Sequence, residues 1–93
     1  MSEQSKFGGW TYAEGLMPRN ALDVLTEALS RQVGVSITPV LFLGSQVVAG
    51  MNYAFLCWNS VVAPDSEATL NIVIVNKDPA GVCSIVKNYP AIQ

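Results

Sequence analysis

The amino-acid sequence predicts an α+β domain in which one long helix packs on a curved antiparallel sheet of four to five strands. Three features carry this. Apolar residues recur at helical spacing only between Pro18 and Gly34. Beyond Gly34 the chain turns to β-branched and aromatic runs, the residues that suit a pleated surface. Two clusters of turn formers, residues 63–66 and 77–81, then divide those runs. With 93 residues there is chain for one core and not two.

Residues 1–9 hold almost no apolar side chain and end in Gly8 and Gly9, which predicts a flexible N-terminal arm, with residues 10–93 as the single folded domain. Trp10 and Tyr12 predict a short first strand anchoring that arm. In PRNALDVLTEALSRQVG, Leu22, Leu25 and Leu29 share one helical face and Val33 lies a further turn on. Asn20 or a residue just upstream is placed to cap the helix, Glu27 and Arg31 stand at i, i+4, and Gly34 is placed to end it in a left-handed conformation.

Four strand candidates follow: VSITPVLFLGSQ, MNYAFLCWNSVV, ATLNIVIVNK and VCSIVKNY. Pro39 within the first predicts an edge, a bulge or a bend. A sheet with one wet face should alternate apolar with polar residues, and these strands do not. Met51, Tyr53, Phe55 and Cys57 share one parity, Ala54, Leu56 and Trp58 the other, and Leu70, Ile72 and Ile74 are backed by Val73 and Val75. Setting Leu56, Trp58, Val73 and Val75 against Phe55, Ile72 and Ile74, one helix covers only one set. Self-association is therefore expected, as a twofold homodimer through the outer sheet face or as a strand-exchanged dimer.

Composition narrows the function. The chain is 51% hydrophobic and 13% charged, against roughly 25% charged in an ordinary domain, so some apolar surface is expected to face a partner. A net charge of -2 with five basic residues argues against nucleic acid or an anionic membrane as that partner. No apolar run reaches the roughly 18 residues of a membrane span, and the polar start lacks the apolar core of a secretory signal. The expected location is the cytoplasm, or outside the cell if a leader has been removed.

Catalytic chemistry finds few players. The chain has no histidine, the commonest general base and partner of nucleophilic serines and cysteines. Cys57 and Cys83 lack a zinc-ligand pattern and are expected to be free buried thiols. Asp65 and Glu67 read as a solvated turn, and Gly8–Gly9 precede no phosphate-binding loop. No enzyme, metal or cofactor is expected.

One stretch breaks the expectation that a hairpin tip is wet. Gln46, Val47, Val48, Ala49 and Gly50, followed by Asn52 and Tyr53, form an uncharged tip between two long strands. The stretch resembles the Gln-x-Val-x-Gly hairpin of the cystatins, protein inhibitors of papain-like cysteine proteases; Gln46, Val48 and Gly50 occupy its fixed positions. The disulfide-free, single-domain stefins are the most similar branch, sharing the local QVVAGxNY pattern. The resemblance implies a cystatin fold and inhibition by occlusion, in which a glycine arm and two hairpin tips form an apolar wedge that enters the protease cleft. Carried onto this chain, the protease-binding residues would be Gly8 and Gly9 in the arm, Gln46, Val47, Val48, Ala49 and Gly50 in the first tip, and Pro79 and Ala80 in the second. Ala80 stands where secreted cystatins place a tryptophan, which leaves the second tip a small contact area. The alternative expectation is a non-inhibitory cystatin-like module that binds or self-assembles through its apolar sheet face.

Overall fold

Ala21, Val24, Leu25 and Ala28 recur at i, i+3, i+4 and i+7, and they are the residues that helix α1 (Arg19–Leu29) buries. In the computed structural model, which describes residues 6–7, 9–13 and 17–92, this stripe packs on one face of an antiparallel sheet. The two alanines let the helix axis approach closely, while Leu25 and Val24 fill the space between. The elements run β1 (Lys6–Phe7), β2 (Trp10–Tyr12), α1, β3 (Val35–Val48), β4 (Gly50–Val61), β5 (Thr69–Lys77) and β6 (Cys83–Pro90), and the sheet order is the chain order. Five strands match or closely follow the expected set. The sixth, β1, pairs Lys6 with Thr11 and Phe7 with Trp10, so two residues assigned to the arm run along β2; residues 1–5 and 8 of that arm lie outside the described residues.

The helix differs from its expectation in four respects. It is 11 residues long, about 16 Å at the usual 1.5 Å rise, and so short rather than long. Its buried stripe includes Leu25 and, partly, Leu29, whereas Leu22 is exposed and Val33 lies outside the helix, 93% exposed. The small residues Ala21 and Ala28, not the leucines alone, mark the packed face. Its start is set by Pro18, in an extended conformation with no side-chain cap, and the Leu22 N–H donates to the Pro18 carbonyl at 3.0 Å. Asn20 is already helical. The proline ring fixes φ near the helical value and so can begin a helix without a side-chain cap. At the other end Ser30 closes the helix, its hydroxyl donating to the Glu27 carbonyl at 2.6 Å. Gly34 does take a positive φ of 81°, but there it turns the chain into β3, its carbonyl accepting from the Val62 N–H at 2.9 Å. Glu27 and Arg31 approach to 4.0 Å on the exposed surface, a contact worth little in water.

Register decides which residues meet the helix. Phe42 pairs with Phe55, Phe55 with Val73, and Tyr53 with Val75, so Phe55, Val73 and Val75 share the inner face with Cys57 and Cys83. The Phe42 ring lies 5.4 Å from Phe55 and 6.3 Å from Tyr53, within the range of favourable tilted aromatic pairs. Leu56, Trp58, Ile72 and Ile74 take the outer face. This corrects the expected grouping: Val73 and Val75 belong with Phe55, not with Leu56 and Trp58, because parity on one strand says nothing about the next until register is known. The strand runs are apolar on both faces, as expected.

Three register shifts, between Pro39 and Leu41, between Phe42 and Gly44, and between Ile74 and Val75, interrupt the ladders. Such bulges bend a strand and increase its twist. Pro39 sits at the first. Gly44 pairs with Tyr12, and a Cβ built on it would collide with the Thr11 carbonyl oxygen, so glycine is what lets β2 lie against β3. No helix among the described residues is long and apolar enough to cross a membrane.

Phe55 is fully buried at the centre of the core. Phe55→Ala should cost about 3–5 kcal/mol, a large share of the stability of a domain this size. A denaturant midpoint within error of the parent protein would place the core elsewhere.

Candidate functional site

The row Val47–Met51–Lys77–Cys83 crosses β3, β4, β5 and β6 directly beneath two turns and sets them side by side. In the first turn Val48 pairs with Gly50, leaving Ala49 alone at the bend. Gly50 has φ 98°, and a Cβ there would collide with the Lys77 carbonyl oxygen and lie 3.0 Å from the Asp78 Cα. Only a residue without a side chain satisfies both the left-handed backbone and this approach. Gly50 is thus the point at which the first tip rests on the second.

The second turn is built by its own side chain. The Gly81 N–H donates to the Asp78 carbonyl at 2.8 Å, the Val82 N–H to Asp78 Oδ1 at 2.9 Å, and the Asp78 N–H to the Val82 carbonyl at 2.9 Å. Pro79 follows Asp78 at the position where its fixed φ suits a tight turn, and Gly81 supplies a positive φ of 93°. Pro79 and Ala80 therefore project as an exposed, rigid tip.

Gly9 joins from the other edge. Trp10 pairs with Gln46, and a Cβ on Gly9, itself at φ 82°, would stand 3.5 Å from Gln46 Nε2. Gly9, the first tip and the second tip thus gather at one end of the sheet. Gly8 lies outside the described residues.

The gathered edge is apolar. Val47 is 77% exposed, and Val48, Ala49, Pro79, Ala80 and Val82 are exposed beside it. Gln46 plays another part: half-buried, its Oε1 accepts from Asn52 Nδ2 at 3.0 Å, and Asn52 Oδ1 accepts from Asn76 Nδ2 at 2.9 Å. This amide ladder ties β3, β4 and β5 together just below the turns. Within the predicted set, then, Val47, Val48, Ala49, Pro79 and Ala80 form the exposed rim, while Gln46 braces and Gly50 spaces it. Sequence reasoning missed Val82, Asn52, Asn76 and the locking role of Asp78. The Asp-Pro-Ala-Gly string carries a legible turn signal for Asp78; the asparagines become partners of Gln46 only once register is known.

Both thiols are free and buried, as expected. Burial pushes the Cys57 thiol from its ordinary 9.0 up to about 11. Cys83 is also raised, first by burial and then by the nearby Glu27 carboxylate. Neither is poised as a nucleophile, because the thiolate is the reactive form. Comparison with protein-family models, with curated proteins and with solved structures finds no match.

Two predictions arise here. Gly50→Ala should destabilise the protein by about 1–3 kcal/mol, the scale of a residue held in a sparsely populated backbone region, and should shift the amide resonances of Lys77 and Asp78 most. Unmoved resonances there would separate the two tips. For the thiols, the folded value above the unfolded one means that the protonated, buried Cys57 contributes stability below pH 9.0 that is lost as the pH rises toward about 11. Denaturant midpoints should fall over that window, and should fall less in Cys57→Ala measured against its own neutral-pH midpoint.

Proposed function

We propose that this protein is a reversible, tight-binding inhibitor of papain-like cysteine proteases, with a cystatin-like fold of the stefin type, that works by filling the active-site cleft. One observation carries the reading: Gly9, residues 46–50 and residues 79–80, far apart in the chain, come together at one end of the sheet with their valines, alanines and proline exposed, beside Lys77 and Asp78. One helix on an antiparallel sheet is compatible with such an arrangement.

Physics favours the arrangement. Val47 and Val48 are β-branched and held in paired strands, so little side-chain or backbone freedom remains to be lost on binding. Each valine buried in a cleft contributes roughly 1.5–3 kcal/mol. The neighbouring turn is fixed by Asp78, and the two tips are braced against each other through Gly50. A wedge built in advance binds without rearrangement. The chain bends at Ala49 and at Gly50, whose φ is 98°, and that bend is not the continuous extended strand a protease needs in order to cut. Inhibition needs no chemistry from the chain.

The test is titration of papain activity. Val48→Asp should weaken inhibition by more than about tenfold, because a carboxylate would be desolvated in the cleft without a partner, while the melting temperature stays nearly unchanged. No inhibition by the parent protein at micromolar concentration would overturn the reading. Equal inhibition by parent and variant would remove the first tip from the mechanism.

A second reading, a binding or assembly module that inhibits nothing, draws on a separate observation: the outer sheet face carries an apolar row, Leu41–Leu56–Ile72–Tyr89, across four strands.

A further inference from the structure

We infer that the protein forms a twofold dimer in which the outer faces of two intact sheets stack on each other. Register arranges that face in rows. Leu41, Leu56, Ile72 and Tyr89 align across β3, β4, β5 and β6. On one side of them stand Thr38, Trp58 and Leu70; on the other stand Ala54, Ile74 and Lys87, with Gly44 between β2 and β4. Nearest the turns, Gln46, Asn52, Asn76 and Ser84 form the last row. Lys87 is the one charged residue in these rows.

No described element lies over this face, since α1 packs on the opposite one. Trp58 is 48% exposed, and Tyr89 and Leu41 are exposed with it; Leu56, Leu70 and Ile72 are half-buried, and Ala54 and Ile74 are already buried in the single copy. An antiparallel sheet that ends in water normally carries polar side chains there, and layered folds bury each apolar sheet face under a second layer.

Area and chemistry identify the layer as a second copy. Four strands at about 4.8 Å spacing, taken over the 9 residues of β5 at about 3.3 Å each, give a footprint of about 570 Å² per copy and about 1,100 Å² for the pair, the scale of the roughly 1,000 Å² expected of a specific interface. The face has an apolar middle and an amide and hydroxyl row at one end, the usual anatomy of core and rim. A charged partner would find almost nothing to pair with, whereas the same face on another copy matches it. Lys87 lies on β6, the edge strand, away from the middle of the face. Two sheets stacked about 10 Å apart, with strands inclined by about 30°, give a helix–sheet–sheet–helix sandwich. The turns at the sheet end stay outside it, and every strand keeps its own partner.

Sedimentation equilibrium on the full chain at micromolar concentration should give twice 10.0 kDa. Trp58→Glu and Tyr89→Glu should each weaken self-association by at least about tenfold, because the carboxylate would be buried unpaired, with unchanged far-ultraviolet circular dichroism. Both side chains are partly exposed in the single copy, so the variants should fold; if one does not, the other reads the interface. A monomer at all concentrations, a species larger than a dimer, or a dimer that either folded variant leaves intact would overturn the inference. The last of these outcomes would point to strand exchange instead.

Discussion

A slip of β3 against β4 by one residue would carry Phe42 away from Phe55 and out of the inner face, because side chains alternate along a strand with a period of two. It would also move Gln46 off Asn52 and open the amide ladder below the turns. The same pairing that builds the core therefore sets the height of the first tip against the second. Gly50 fits under the Lys77 carbonyl only in this register. The hairpin of β3 and β4 is the frame on which both the packing and the candidate site depend.

That frame is much longer than the helix it carries. β3 has 14 residues, about 46 Å of strand, beside a helix of about 16 Å, and the molecule is 48 Å along its longest axis. The inner face beyond the helix must then meet water, and it does so with amides. Thr69 donates to Asn71 Oδ1 at 2.8 Å, Asn71 to Asn88 Oδ1 at 2.6 Å, and Asn88 to Asn59 Oδ1 at 3.0 Å. Asn71 is buried, and its side chain is fully engaged, which avoids the penalty of an unpaired polar group. A second ladder, through Gln46, Asn52 and Asn76, does the same for the outer face near the turns. Side-chain amides hold the sheet together where no apolar layer reaches.

Much of this was legible in the sequence, for reasons that differ from element to element. The strands announced themselves through β-branched and aromatic runs, and their ends through Pro64 and Asp65 and through the Asp78-Pro79 turn. Local chemistry writes such signals. Leucine spacing marks the helix but not its buried stripe, because Ala21 and Ala28 carry no hydropathy signal comparable to Leu22, which the structure leaves exposed. Of the expected start, Asn20 or a residue just upstream, it is the upstream Pro18 that takes the cap position, its fixed φ standing in for a side-chain cap. The face assignment of Val73 and Val75 could not be read from one strand alone. The tip residues were legible as a motif, while the bracing by Asn52 and Asn76 was not, since contacts between distant strands exist only in the fold.

Two apolar surfaces on so small a chain pose different demands. The tip stands at the sheet end on two turns braced by Asp78 and Gly50, with Val47, Val48, Ala49, Pro79 and Ala80 exposed. The outer face is broad, spans four strands, and carries Trp58 and Tyr89, so only a second extended surface can dry it. Shape thus separates the partners even though composition does not. The face lies across the strands and the tip at their ends, so covering one leaves the other open. A chain with 13% charged residues thus carries a broad apolar face across its strands and a separate apolar tip at their ends, and the two need not share one occupant.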